Sequence, residues 1–216
     1  MKKKLVLCLL CGLTILSITT GCNNKENSNI NFEILDSKID YIVIKNKKIY
    51  LTRNFKDFTL QFRGLGCTVK GEYQSEKDID SIDENDPTLI ESVVTNYIKC
   101  YDTDERKWGE SVNISMHTYT KDQGDINDIY YWNFSSTSAL FDLHINNKTL
   151  LFGYGGRNPS TPNELIEILG NNYKEESDAF SSVNYKYKEG TNEYSFRIDK
   201  ENNELEGFSL SISKLK

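Results

Sequence analysis

The sequence predicts an α+β fold that is predominantly antiparallel β-sheet, with two short helices packed on the sheet. Residues that favour strands are abundant, including 13 Tyr and 10 Phe among 216 residues. Only two alanines occur, Ala139 and Ala179, although Ala is the residue that most favours helix. Segments in which apolar and polar residues alternate are separated by short turns rich in Asn and Gly, which is typical of hairpins and meanders.

The first half of the chain predicts a hairpin, a helix and two longer strands. Asn54 is a suitable N-cap for a helix over 55–62, and Gly64 and Gly66 are expected to end it. The acidic stretch 74–90 has no clear period and is expected to be the least ordered part. The strands are predicted at 41–44, 48–51, 93–101 and 111–119.

The second half predicts a strand, a hairpin, a helix and a three-stranded meander. Thr161 and Glu164 form a capping box around Pro162, so the helix is expected over 162–169, ending at Gly170. Turns are expected at Ser135-Ser136 and Asn146-Asn147. The strands are predicted at 128–134, 139–145, 148–154, 183–187, 194–198 and 208–212.

The order hairpin, helix, strands occurs twice, which allows two tandem helix-plus-meander units at 31–125 and 126–216. This order, with the segment Thr161-Pro162-Asn163-Glu164-Leu165-Ile166-Glu167-Ile168-Leu169-Gly170, resembles exported bacterial domains of the beta-lactamase-inhibitor-protein type. The resemblance implies helices packed on an antiparallel sheet whose free surface binds a partner protein. It implies no site for any single residue.

The first 22 residues predict export and an anchor. Three lysines at 2–4 precede the uncharged run 5–21, and the chain turns polar after Cys22. This is the pattern of a secretory signal, and the run is short for a membrane span. The stretch Ile18-Thr19-Thr20-Gly21-Cys22 resembles the lipobox of bacterial lipoproteins, with Thr19 where that pattern usually has Leu.

The resemblance implies cleavage before Cys22 and a diacylglycerol on its thiol, which supplies the two acyl chains that a durable anchor needs. Residues 1–21 would then be the signal peptide and 22–30 a polar tether. An ordinary signal peptide, an uncleaved anchor and a cytoplasmic protein with a buried N-terminal helix are the alternatives. An ordinary signal peptide typically has alanine before its cleavage site, and residues 1–22 of this chain contain none.

Two cysteines, Cys67 and Cys100, remain in the exported part. Disulfides persist outside the cytoplasm, so a bridge between them is one alternative and two buried free thiols are the other. Neither cysteine lies in a CxxC motif or near a histidine, and we expect no metal at either.

The charge excludes one class of partner. Loss of residues 1–21 changes the net charge from −6 to about −9, because Lys2, Lys3 and Lys4 leave with the signal. Such a surface repels polyanions, so we expect no nucleic-acid binding.

No catalytic residue is predicted. His117 and His144 each lie in a predicted strand, outside any HExxH or GxSxG motif. The acidic stretch fails as an EF-hand loop, because Ile82 and Leu89 stand at ligand positions. We therefore expect no metal and no other cofactor.

Aromatic residues are the best candidates for partner contact. Alternation places Tyr130, Trp132 and Phe134 on one face of a strand and Tyr131 on the other. Tyr131 and Trp108 could anchor a partner, since Tyr and Trp dominate binding hot spots, and a role in the core is the alternative.

The resulting hypothesis is a lipid-anchored binding module on the extracytoplasmic face of the cell membrane, not an enzyme, with a protein as its partner. An exported hydrolase with an unrecognised site, containing His117 or His144 beside a carboxylate, is the alternative. A transport-type solute-binding lipoprotein is not favoured, because the chain lacks a repeated βα pattern.

Natural material should begin at a lipidated Cys22, which mass spectrometry of the N-terminus would detect. The Cys22→Ala variant should appear in the medium or as unprocessed precursor, because the thiol that carries the acyl chains is gone. A processed Cys22→Ala protein retained on the membrane as well as the wild type would contradict the anchor.

Overall fold

The predicted fold class is confirmed: the described residues form two α-helices and thirteen strands, all paired antiparallel. The computed structural model describes residues 33–71, 75–83, 95–101, 111–119, 122, 124–125, 127–136, 141–153, 158–177 and 181–213.

The elements follow one another from hairpin to helix to meander, twice. The helices are α1 (Phe55–Leu60) and α2 (Pro162–Leu169). The strands are β1 (Ile39–Ile44), β2 (Lys47–Ile49), β3 (Cys67–Gly71), β4 (Lys77–Asp78), β5 (Thr95–Tyr101), β6 (Ser111–Thr118), β7 (Ile129–Ser136), β8 (Phe141–Ile145), β9 (Lys148–Phe152), β10 (Lys174–Ser177), β11 (Ser182–Glu189), β12 (Asn192–Asp199) and β13 (Glu204–Ile212).

These strands form two sheets. The small sheet has the order β2-β1-β8-β9, and the large sheet has the order β10-β11-β12-β13-β7-β6-β5-β3-β4. Each sheet combines strands from before and after residue 125: β1 pairs with β8, and β6 pairs with β7. The chain from Phe32 onwards is therefore one compact unit with one core.

The topology has an internal pseudo-two-fold relation. Hairpin β1–β2, helix α1 and strands β3, β5, β6 and β7 correspond to hairpin β8–β9, helix α2 and strands β10 to β13. Ile42 and Leu143 pair directly and stand at the same distance before their hairpin turns. By strand pairing, the division between the two units falls between β7 and β8. The predicted boundary at 125/126 lies within the β6–β7 connection.

The two hairpin turns explain why these strands reverse where they do. Lys45, Asn46, Asn146 and Asn147 all have positive φ, between 51° and 64°. Positive φ at both central residues is the geometry of two-residue turns that match the twist of hairpin strands, and Asn tolerates it well.

Both predicted helix starts are confirmed. The Asn54 side chain accepts a hydrogen bond from the backbone N–H of Asp57, and Thr161 and Glu164 form both bonds of the capping box. Gly170 ends α2 with φ 82° and ψ −177°, a conformation that is costly for residues with a Cβ.

The core lies on the inner face of the large sheet, against the small sheet and α1. Phe134 is fully buried there, and its ring lies 6.0 Å from Phe208 of β13, 6.4 Å from Phe58 of α1 and 6.1 Å from Phe141 of β8. One side chain thus packs against both sheets and a helix.

One local prediction was wrong, and two strands of four or more residues were missed. Ser135 continues β7 and pairs with Asn113 and Gly207, because a strand with two neighbours extends its hydrogen-bond ladder through polar residues. Strands β3 and β10 were not predicted; β3 follows two glycines, and β10 has a charged sequence without alternation.

The acidic stretch is also better ordered at 75–83 than its sequence suggested. Ile79 and Ile82 are buried around a 3₁₀ turn, and acidic side chains cap backbone groups. Asp78 accepts a hydrogen bond from the Asp80 N–H, and Asp80 accepts one from the Gly64 N–H at 2.7 Å.

Of the two alternatives for the cysteines, the structure has the disulfide. Cys67 of β3 lies directly opposite Cys100 of β5, with 4.2 Å between the Cα atoms and a sequence separation of 33. The bond crosslinks two neighbouring strands of the large sheet.

An ion pair between Lys186 and Glu176 attaches the edge strand β10 to β11. The Glu176 carboxylate accepts hydrogen bonds from the ammonium groups of Lys174 and Lys186, each at 2.6 Å. The hydrogen bond from Lys174 has the larger effect and that from Lys186 the next, and together they lower the pKa of Glu176 to about 2. A short edge strand carrying charges is also a poor template for pairing with another chain.

Reduction of the disulfide should lower the free energy of unfolding by about 3–4 kcal/mol, because the unfolded chain regains the entropy of a loop of this length. Urea unfolding with and without dithiothreitol would measure it. The Cys67→Ser/Cys100→Ser double variant should show the same loss and no response to the reductant. If reduction left the free energy of unfolding of the wild type unchanged, that result would contradict the disulfide between Cys67 and Cys100.

Stability should also depend on Glu176 in acid. Because its pKa is lower in the folded state than the ordinary 4.5, its contribution is complete above pH 4.5 and is lost as the pH falls towards 2. Urea unfolding between pH 4.5 and 2 should show a smaller loss for Glu176→Gln than for the wild type. Glu175→Gln, on the same strand, is the control and should follow the wild type. Equal acid slopes in all three proteins would refute the prediction.

Candidate functional site

The outer face of the large sheet points away from the small sheet and α1. We define the outer face by the side chains that alternate with the buried ones on the central strands. They are half-exposed or exposed, and they are Lys70, Tyr97, Lys99, Asn113, Ser115, His117, Tyr131, Asn133, Ser135, Ser195, Arg197, Ser209 and Ser211.

Four partly exposed rings meet at one end of β6 and β7, and we call them the aromatic cluster: His117, Tyr119, Tyr130 and Tyr131. The ring of His117 lies 4.8 Å from Tyr131 and 6.0 Å from Tyr130, and Tyr119 lies 4.8 Å from Tyr130. Contacts between rings limit the rotamers of each, so the cluster presents a semi-rigid aromatic surface.

A β-bulge creates this cluster. The register of β6 and β7 shifts, so that His117 pairs with Tyr131 but Thr118 pairs with Ile129, and Tyr130 is the extra residue. The predicted placement of Tyr130 on the same face as Trp132 and Phe134 is therefore wrong. Ile129 takes the buried position instead, and Tyr130 is half-exposed.

Backbone contacts hold the bulged end in place. The N–H of Tyr119 donates to the carbonyl of Asp128 at 3.2 Å, and the N–H of Ile129 donates to the carbonyl of Arg53 at 2.8 Å. Asp128 also forms an ion pair with Arg53 at 3.9 Å. Burial raises the pKa of Asp128, and Arg53 opposes that rise.

Beside the cluster, the centre of the outer face is polar without charge. Directly paired residues run across five strands in one row: Tyr97, Ser115, Asn133, Ser209 and Ser195. Asn133 donates a hydrogen bond to the Ser115 hydroxyl at 3.4 Å. The short hydroxyl and amide side chains of this row project only a little from the sheet, and they leave hydrogen-bonding groups at its surface.

Charged residues border this centre on the β10–β12 side. Lys186 pairs with Glu176, which raises the pKa of Lys186, and Arg197 lies 3.1 Å from Glu206. Between this border and Tyr131 lies a depression of about 760 Å³. Apart from Gly207 and Phe208, every residue that lines it has a polar side chain.

A second depression of about 380 Å³ lies at the β3–β5–β6 end of the outer face. Lys70, Lys99, Tyr97 and Asn113 contribute to its lining. The ammonium group of Lys70 lies 6.0 Å from the centre of the Tyr97 ring.

A third depression of about 830 Å³ lies at the start of the described chain, between residues 33–38 and the β11–β12 turn. Its opposite charges are neighbours: Lys38 lies 3.2 Å from Glu189. The Asn192 side chain donates to the Asp36 carbonyl, and the Lys38 N–H donates to the Tyr194 hydroxyl. These contacts attach the first described residues to the sheet.

The two histidines lie far apart in the topology. His144 is on the small sheet, where its ring stacks on Tyr41 at 4.2 Å and its Nδ1 lies 3.2 Å from the Thr149 hydroxyl. His117 belongs to the aromatic cluster. The three depressions above are lined by other residues. The hydrolase alternative, which requires one histidine in a pocket beside a carboxylate, stays a prediction.

Among the residues predicted to contact a partner, Tyr131 is on the outer face, while Trp108 lies outside the described residues, as does Cys22. The sequence interpretation missed Tyr97, Tyr119 and Tyr130. Alternation on β5 would have identified Tyr97, which is 37% exposed, opposite in direction to the buried Ile98 and Cys100. The bulge that exposes Tyr130 left no recognisable signal.

Within the described part of the chain, no three His, Cys, Asp or Glu side chains are grouped so as to hold a metal ion. The helices of that part are too short or too polar to span a bilayer. Comparison with protein-family models, with curated proteins and with solved structures finds no match to this chain.

Proposed function

We propose that this chain is an extracytoplasmic lipoprotein, anchored to the cell membrane through Cys22, whose folded part binds a partner protein through the outer face of the large sheet. The observation that carries the binding proposal is the aromatic cluster, in which Tyr131 and three further rings are partly exposed beside an uncharged polar surface.

The chemistry of the face supports a protein partner. Interface centres are enriched in aromatic residues and depleted of charge, whereas their rims are polar and charged. Here Tyr131 and His117 adjoin Ser115, Asn133 and Ser211, and ion pairs border the far side. Sites for small molecules are instead lined mostly by apolar side chains, unlike the depression beside Tyr131.

The size of the face also suits a protein. In the order of the sheet, seven neighbouring strands run from β3 through β5, β6, β7, β13 and β12 to β11, and they span about 29 Å at the usual strand spacing. Five residues along each strand span about 14–17 Å. Their projected area of roughly 400–500 Å² is at least about half of the ~800 Å² that each partner buries in a standard interface.

The packing of the sheet makes the face rigid before binding. The outer side chains of β7 alternate along the strand with Trp132 and Phe134, which are completely buried on the inner face. A rigid surface loses little conformational entropy on association, which leaves more of the contact energy for affinity.

Truncation of Tyr131 should weaken partner capture. A central hot-spot tyrosine contributes at least about 2 kcal/mol, so Tyr131→Ser should reduce affinity roughly 30-fold. Full-length tagged protein, crosslinked in its native cells and recovered from solubilised membranes, would be compared by mass spectrometry for the wild type and the variant.

Tyr50→Ser is the matched control, because Tyr50 is a half-exposed tyrosine that directly follows β2 and whose ring contacts Tyr41 of the small sheet. A true partner should be enriched with the wild type and with Tyr50→Ser, and lost with Tyr131→Ser at unchanged circular dichroism. Equal recovery with all three baits, or no enriched protein with the wild type, would refute binding through this face.

A further inference from the structure

We infer that the β3–β5 end of the outer face receives a carboxylate-bearing segment of the partner protein, held by Lys70, Lys99 and Tyr97. The inference rests on the proposed function and names the chemistry of the partner beside the aromatic cluster.

Strand register places the two lysines together. Lys70 of β3 lies directly opposite Tyr97 of β5, and Lys99 lies directly opposite Thr68 two residues further along. Both lysines therefore point to the outer face and are diagonal neighbours, about 7–8 Å apart at their backbones. Their side chains lean over aromatic rings, Lys70 towards Tyr97 and Lys99 towards Tyr101 at 5.0 Å.

The depression between them offers the groups that a carboxylate needs. Two ammonium groups and the Asn113 side chain are hydrogen-bond donors, and all three residues line the same space of about 380 Å³. Charge-assisted hydrogen bonds to a carboxylate are stronger than neutral ones. Tyr97, with 37% of its surface exposed, supplies a ring against which the rest of the segment can pack.

One acidic residue shares this depression. The Glu76 carboxylate accepts hydrogen bonds from the Thr68 hydroxyl at 3.5 Å and from the Tyr101 hydroxyl at 3.4 Å. Its charge opposes that of the lysines, so an incoming carboxylate has to approach from the Lys70–Tyr97 side. Removal of the Glu76 charge should therefore strengthen binding of an acidic ligand.

Because the chain has a negative net charge, a short acidic segment is a better ligand for this site than a long polyanion. The exported part has a net charge of about −9, which repels long polyanions. At physiological salt, charges beyond about 8 Å are largely screened. A peptide segment that places one or two carboxylates against the lysines gains the local attraction without most of the repulsion.

The lysine subsite and the aromatic cluster lie close enough for one partner to cover both. Tyr97 pairs with Ser115 on β6, and His117 is the next outer residue on the same strand. Diagonal neighbours across a pair of strands are about 7–8 Å apart. A partner anchored on Tyr131 and His117 would therefore extend directly over Tyr97.

The test uses the full-length lipoprotein in non-ionic detergent micelles and a fluorescently labelled hexaglutamate peptide, with binding followed by anisotropy at pH 7 and low salt. Lys70→Gln and Lys99→Gln should each weaken binding about threefold, and the double variant about tenfold. Lys148→Gln, an exposed lysine on the small sheet, should bind like the wild type. Glu76→Gln should bind more tightly, and hexaglutamine and hexalysine should not compete.

Three results would overturn the inference: no binding of hexaglutamate to the wild type, equal loss with Lys148→Gln, or displacement of the peptide by inorganic phosphate at the same concentration. The last would indicate a site for any small anion. Failure here with Tyr131-dependent partner capture intact would remove only the subsite. Hexaglutamate binding without any captured partner would instead count against the proposed function.

Discussion

The architecture depends on the pairing of β7 with β13, with Phe134 at its centre. This pairing joins the last strands of two meanders into one sheet, and Phe134 and Phe208 face each other across it. On the same face Phe134 also meets α1 and the small sheet. Because burying an aromatic side chain contributes several kcal/mol, this point of contact gives both halves of the chain a shared core.

The joining of two meanders has a consequence for the opposite face. Neither unit alone contributes more than five strands to the large sheet, whereas their union makes a sheet of nine, with a continuous polar outer face across seven of them. The seam itself lies under Asn133, Ser209 and Ser211, so the uncharged centre of the outer face is located where the two units meet. The charged residues stand towards the ends of the sheet, at Lys70 and Lys99 on one side and at Lys186 and Glu176 on the other.

A disulfide, an ion pair and side-chain hydrogen bonds to the backbone stabilise the two ends of this sheet. The disulfide crosslinks β3 to β5, and the Lys186–Glu176 ion pair attaches β10 to β11. Acidic side chains near β4 cap backbone N–H groups. Many of the polar and charged residues that look available in the sequence therefore have a structural partner. The rings of Tyr97 and Tyr131 are instead partly exposed on the outer face.

The sequence by itself determined what depends on neighbours along the chain. Alternation identified most strands, the Thr161–Glu164 capping box identified α2, and Asn-rich turns identified the hairpins, because each pattern acts over a few residues. Alternation likewise placed Tyr131 opposite Phe134. The tertiary structure decided which strands pair, because periodicity assigns a residue to a face but not a strand to a neighbour. The β1–β8 and β7–β13 pairings, the bulge at Tyr130 and the placement of Lys70 and Lys99 on one face of neighbouring strands all arise from contacts between residues distant in sequence, and only the folded chain brings them together.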